Sequence, residues 1–114
     1  MLTPWGVSSH QTHITDGVWF VETARHGGIL VRQQVAPTLL SPEAIVRGKS
    51  WGSWLVYEED CDWSLFAYEQ PLLYTVACTE PGSPPRTAEE IQQAARECLL
   101  LWHPDYLARA EKGE

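Results

Sequence analysis

Between Ser50 and Pro85 the chain has no lysine and no arginine. The same window holds six acids, Glu58, Glu59, Asp60, Asp62, Glu69 and Glu80, and so carries −6. The rest of the 114 residues is nearly balanced, nine acids against eight bases, and supplies the last unit of the formal −7. Those eight bases are scattered. Neutralising phosphates requires clustered Lys and Arg, so their dispersal argues against direct nucleic-acid binding. A basic partner surface is the better electrostatic match.

Other absences narrow the class further. The three cysteines, Cys61, Cys78 and Cys98, form no C-x-x-C pair, and an odd, sparse set points to free thiols in a reducing compartment. Met1–Gly6 has neither the basic nor the apolar region of a signal peptide, and no apolar run approaches the ~20 residues that span a bilayer. These features predict a cytoplasmic protein without a membrane segment. Charged residues make up only 20%, with 11% aromatic, which does not fit a disordered acidic tail. A chain of this size with 44% hydrophobic residues can bury roughly two thirds of its unfolded surface. The expectation is one domain over residues 1–114 that folds without disulfide, metal or cofactor.

What is present reads as a mixture of strands and helices. Residues 3–17, with Pro4, Gly6, Ser8, Ser9, Asp16 and Gly17, read as an irregular lead-in with room for one short strand. Val18–Thr23 is rich in β-branched and aromatic types, and Ile29–Val35 is a second strand. Gly27 and Gly28 between them can supply the positive φ of a tight hairpin. Ser41-Pro42-Glu43 is a helix start, closed by Gly48. Trp51-Gly52-Ser53-Trp54 reads as a turn that delivers two indoles. Residues 61–70 fit either periodicity; a helix is favoured because carboxylates precede the apolar run, with Pro71 ending it. Leu73–Cys78 reads as another short strand, and 80–85 as a loop. Thr87-Ala88-Glu89-Glu90 is a capping box opening a helix to about Trp102, whose apolar stripe is Ile91, Ala94, Ala95, Cys98, Leu99 and Trp102. Leu100 lies off that stripe, under another element or at an interface with a second copy. Pro104 starts a last short helix. The fold class is α+β: a small antiparallel sheet built on the Val18–Val35 hairpin, packed by the C-terminal amphipathic helix and short helices.

The residues that carry chemistry concentrate in Tyr57-Glu58-Glu59-Asp60-Cys61-Asp62-Trp63, four carboxylates within five positions. They can cap the following helix and stay solvated, bind a hard cation, or mimic phosphates in a basic groove. The spacing matches no calcium loop. His26 is a candidate general base, with glycine N–H groups beside it and Glu58, Glu59 or Asp60 to orient its ring; no nucleophile accompanies it. His10-x-x-His13 and the set Cys61, Cys78, Cys98 and His103 have metal-ligand chemistry without the close pairing of zinc sites. Cys98 falls on the apolar stripe and reads as a buried small hydrophobe. Trp19 and Trp102 read as core. Trp5, Trp51 and Trp54 sit beside glycines, as lids on the core or as binding anchors.

Thr3-Pro4-Trp5-Gly6, His26-Gly27-Gly28-Ile29 and Tyr57–Trp63, in that order, resemble a small domain found in proteins of phages, plasmids and integrative elements. The resemblance covers about residues 3–74 and leaves the helical part at about 86–112 outside it. It carries no assigned activity; it implies a mobile-element protein of the bacterial cytoplasm, a setting in which small acidic proteins often inhibit host defence. The expected function is a non-catalytic counter-defence inhibitor, of anti-CRISPR or anti-restriction type. It would occupy a basic, nucleic-acid-binding surface of a host protein through Glu58, Glu59, Asp60, Asp62 and Glu69, with Trp51 and Trp54 as anchors. The rival is a small hydrolase or metal-dependent enzyme using His26 with Glu58, Glu59 and Asp60. In a third reading the three motifs are purely structural.

Overall fold

One short antiparallel hairpin and a five-stranded antiparallel sheet form the β part of the computed structural model, which describes residues 1–78, 82 and 84–113. Strands β1 (Leu2–Thr3) and β2 (Gly6–Val7) pair around Pro4-Trp5. The Thr3 hydroxyl donates to the Gly6 carbonyl at 2.7 Å and accepts from the Trp5 N–H at 3.2 Å, closing this turn. Then follow β3 (His10–Thr15), β4 (Val18–Glu22) and β5 (Gly27–Arg32). Two short helices, α1 (Ala36–Leu39) and α2 (Pro42–Arg47), lead into β6 (Lys49–Trp51) and β7 (Trp54–Glu58). The spatial order is β3-β4-β5-β7-β6. The lead-in is therefore more regular than its composition suggests: β3 is a full six-residue edge strand, bulged between His13 and Thr15.

Helix α3 (Trp63–Glu69) lies against β5 and β7, and α5 (Ala88–Trp102) packs on α3 from the far side. This position explains the ambiguous periodicity of residues 61–70. A helix between a sheet and a second helix is apolar on more than one side, and Ser64, Leu65, Phe66 and Ala67 are all buried. The carboxylates ahead of it do not cap it, for Asp62 stands at the N-cap without a capping hydrogen bond. Pro71 ends α3 and also starts α4 (Pro71–Tyr74), continued by a 3-10 turn over Thr75–Cys78. The strand expected at Leu73–Cys78 is thus helical: proline at the first helical position restarts the chain in the α region. Half of the loop expected at 80–85, residues 80, 81 and 83, lies outside the described residues. The Thr87–Glu90 capping box is formed in both directions, and α6 (Pro104–Glu111) closes the chain.

The sheet has two different faces. On one, Val18, Ile29, Val31, Leu55 and Tyr57 share a core with Leu65 and Phe66 of α3, Ile91, Ala95 and Leu99 of α5, and Tyr106 and Leu107 of α6. On the other, Val21, Leu30 and Val56 are covered by four indoles, Trp5, Trp19, Trp51 and Trp54. Trp19 is therefore half-buried on the second face rather than in the main core. Trp102 is exposed at 59%, against the expectation from the stripe. Helices α3 and α5 run antiparallel, with Gln92 bonded to the Tyr68 carbonyl and the Cys98 thiol near the Cys61 carbonyl. Cys98 is thus already level with the start of α3, and one turn later Trp102 has passed its neighbour. Leu100 and Leu101 beside it are also exposed.

Candidate functional site

The three stretches on which the resemblance rests are far apart in sequence, yet they meet at one end of the sheet. Gly28 pairs with Glu58 across β5 and β7, and Trp5 lies over that pair. A Cβ on Gly28 would drive into the Tyr57 carbonyl oxygen and come within 2.8 Å of Trp5 Cη2. A Cβ on Gly27 would meet the Val21 carbonyl oxygen at 2.6 Å. The two glycines therefore serve close approach of strands and indole, and not positive φ as the hairpin reading had it: neither adopts it. The turn before them is made by Thr23, whose N–H and hydroxyl both donate to the His26 carbonyl at 2.8 and 2.7 Å.

This packing sets the positions of the acids. The Glu59 N–H donates to the Gly27 carbonyl at 2.9 Å, so the chain leaving β7 is held beside the β4–β5 turn. His26, half exposed, places Nδ1 3.6 Å from a Glu58 oxygen. Donor atoms of His26, Glu58 and Asp60 lie within 4.8 Å of one another, and these are the only three such residues grouped in this way among those described. Burial raises the Glu59 carboxyl above its ordinary value, helped by the charges of Asp60, Glu22 and Glu58 and opposed by His26. The end of the sheet is thus a crowd of carboxylates with one imidazole among them.

Not all of the expected acidic surface is there. Asp62 is buried, with Oδ1 3.0 Å from His103 Nε2. The other ring nitrogen, Nδ1, is 3.3 Å from Arg47 Nη1. A guanidinium can only donate, so Nδ1 accepts and the Nε2–H donates to Asp62. Arg47 continues the chain of contacts to Asp105 at 2.6 Å and Glu43 at 2.8 Å. Its hydrogen bond pulls the Asp105 carboxyl down to about 2. Both nitrogens of His103 are committed, which leaves this Asp–His pair no lone pair for a substrate. It ties the α5–α6 junction to α2 and to the start of α3.

Glu69 is likewise engaged inside. Its carboxylate accepts from the Ser41 N–H at 2.7 Å, the Ser41 hydroxyl at 2.6 Å and the Tyr106 hydroxyl. Burial, then the bond to Glu69, raises the Tyr106 phenol, which keeps its proton for that contact. Asp62 and Glu69 therefore drop out of the partner-facing set for a physical reason: their oxygens are occupied by donors from elements that pack together. The sequence reading missed Arg47 and His103 in these roles. The Glu43–Arg47 spacing of four on a helix was the one legible signal.

The remaining candidates separate. His10 and His13 are three apart on a strand and so point to opposite faces; the His13 ring packs against Trp19, tilted by 40° with ring centroids 4.6 Å apart. Cys61, Cys78 and Cys98 are free thiols and are not grouped with His103 as a metal set among the described residues. Burial, reinforced by Asp62 and Glu58, pushes the Cys61 thiol up to about 11, so it is not the thiolate that a nucleophile requires. Trp51 and Trp54 stand opposite each other across the β6–β7 hairpin, joined through Gly52 at a φ of +60°. The Arg32 guanidinium lies 4.3 Å from the Trp54 ring centroid. Between Trp5, Trp51 and Glu58 is a cavity of about 200 Å³.

No helix of the described residues is long and apolar enough to cross a membrane. No curated protein and no solved structure matches the chain. One family does match, described as a domain of unknown function, DUF7007, over residues 1–113. The match is not confined to the 3–74 span of the resemblance but includes α5 and α6, whose Ile91, Leu99 and Tyr106 share a core with the sheet. The chain belongs to the DUF7007 family.

Proposed function

We propose that this chain is an acidic, non-catalytic binding protein that docks Glu58, Glu59 and Asp60 on a basic surface of a partner. The observation that carries the reading is the crowding of those carboxylates with Glu22, relieved among the described residues by His26. Like charges held together oppose folding, and a cationic partner would turn that cost into binding energy. The neighbouring indoles supply the large, rigid anchors that dominate protein interfaces. In the mobile-element setting implied by the resemblance, the partner is a nucleic-acid-handling host protein and the protein a counter-defence inhibitor of anti-CRISPR or anti-restriction type. Capture from host lysate on tagged protein, washed at rising salt, tests this. A stoichiometric nucleic-acid-handling protein that elutes as salt rises, and is not retained by the Glu59→Lys/Asp60→Lys variant, is the expected result. A partner held equally by both proteins contradicts it.

A second reading is favoured by one observation, the closeness of His26, Glu58 and Asp60: a metal-dependent enzyme, in which an imidazole and two carboxylates hold a divalent cation. Calorimetric titration with zinc and manganese separates it from the first. Stoichiometric binding abolished by His26→Ala, with the fold intact, favours the enzyme. Unfolding of His26→Ala would instead assign the motifs a purely structural role.

A further inference from the structure

We propose that the cavity formed by Pro4, Trp5, Trp51, Val56, Glu58 and Lys49 receives an arginine side chain of the protein partner. The inference rests on the binding reading above and names what the partner inserts. Its walls come from two hairpins: Trp5 is delivered by the Thr3-closed β1–β2 turn, and Trp51 by the β6–β7 turn. At about 200 Å³ it is the size of one long side chain and too small for most ligands.

Charge selects the occupant. Glu58 lines the cavity and is partly exposed; one of its oxygens faces His26, and the other has no partner among the described residues. Glu59 and Asp60 follow directly on the chain. A cation entering a cavity lined by two indoles can gain from a ring face, and a planar guanidinium can stack on an indole while donating in parallel to a carboxylate. The same sheet face already shows this preference, since Arg32 stacks on Trp54 at 4.3 Å and is steadied by the Ser53 hydroxyl at 2.8 Å. Lys49 is the one opposing charge. It lines the cavity without a carboxylate partner among the described residues, and its like charge opposes the guest.

The test needs no partner. N-acetyl-arginine amide is titrated into the full chain, read by indole fluorescence and by the NMR signals of the indole N–H groups. Saturable binding centred on Trp5 and Trp51 is expected, weakened about fivefold or more by Trp51→Ala or by Glu58→Gln. Lys49→Ala should tighten it about two- to fivefold by removing the like charge. N-acetyl-lysine amide should bind more weakly, and N-acetyl-glutamate amide not at all. Absence of saturation in both the native chain and Lys49→Ala, equal binding of the lysine probe, or weakening by Lys49→Ala each overturns the assignment. If the probe fails while a captured partner is lost on charge reversal at Glu59 and Asp60, the pocket is wrong and the docking reading stands. If the probe binds and no partner is captured, the docking reading is the one that fails.

Discussion

Single residues at the acidic end make the sharpest demands. Gly28 has no room for a methyl group between the Tyr57 carbonyl and Trp5. Gly28→Ala should cost about 2 kcal/mol of unfolding free energy in urea, as overpacking does, and should shift the Trp5 fluorescence. Glu59 gives a pH signature. Its folded-state carboxyl is raised by burial and by neighbouring acids, so the folded protein holds that proton more tightly than the unfolded chain. Stability from this group is fully present below the unfolded value of about 4.5 and is lost as pH rises through the higher folded value. Glu59→Gln should therefore be more stable than the native chain at pH 7, by less than about 1 kcal/mol because the site is exposed. The advantage should vanish below pH 4.5 in thermal melts. Both glycines and acids were visible in the sequence, but their purpose was not. A glycine required by close approach looks the same on paper as one required by positive φ.

At the scale of elements, local chemistry was readable wherever the signal stayed within a few residues. The Thr87–Glu90 box and the Ser41 cap, whose hydroxyl accepts from Ala44 at 3.2 Å, formed as their residue types require. So did the β4–β5 hairpin. What failed were inferences that depend on a neighbour's reach. The apolar run Leu73–Cys78 follows a proline that restarts a helix, and Trp102 outruns α3. The roles of Asp62 and Glu69 depend on partners 41 and 28 or more residues away, His103 for the first and Ser41 and Tyr106 for the second. Composition alone cannot separate such an internally bonded acceptor from a surface acid. Glu69→Gln puts an amide donor against at least one of the three donors that Glu69 accepts. Hydrogen bonds to charged groups are each worth about 1.5–3 kcal/mol, so a loss of about 2 kcal/mol is expected in urea unfolding. Partner capture below the unfolding midpoint should be unchanged, which would separate this acid from Glu58, Glu59 and Asp60.

For the molecule as a whole, the asymmetry of the sheet is the organising feature. One face is closed by α3, α5 and α6, while the other carries four indoles with carboxylates at one end and Arg32 about 13 Å away along the strands. Strand alternation made two faces expected, yet the sequence did not tell which tryptophans would share one, because Trp5 arrives from a separate hairpin. On the proposed reading, Glu59 and Asp60 serve binding and not folding. The measurement that tests it most directly pairs two readouts on the Glu59→Lys/Asp60→Lys variant: retention of the host partner at low salt and the thermal unfolding midpoint. Loss of the partner with an unchanged or raised midpoint is the predicted result. Full retention of the partner, or loss only alongside a collapsed midpoint, would contradict the account.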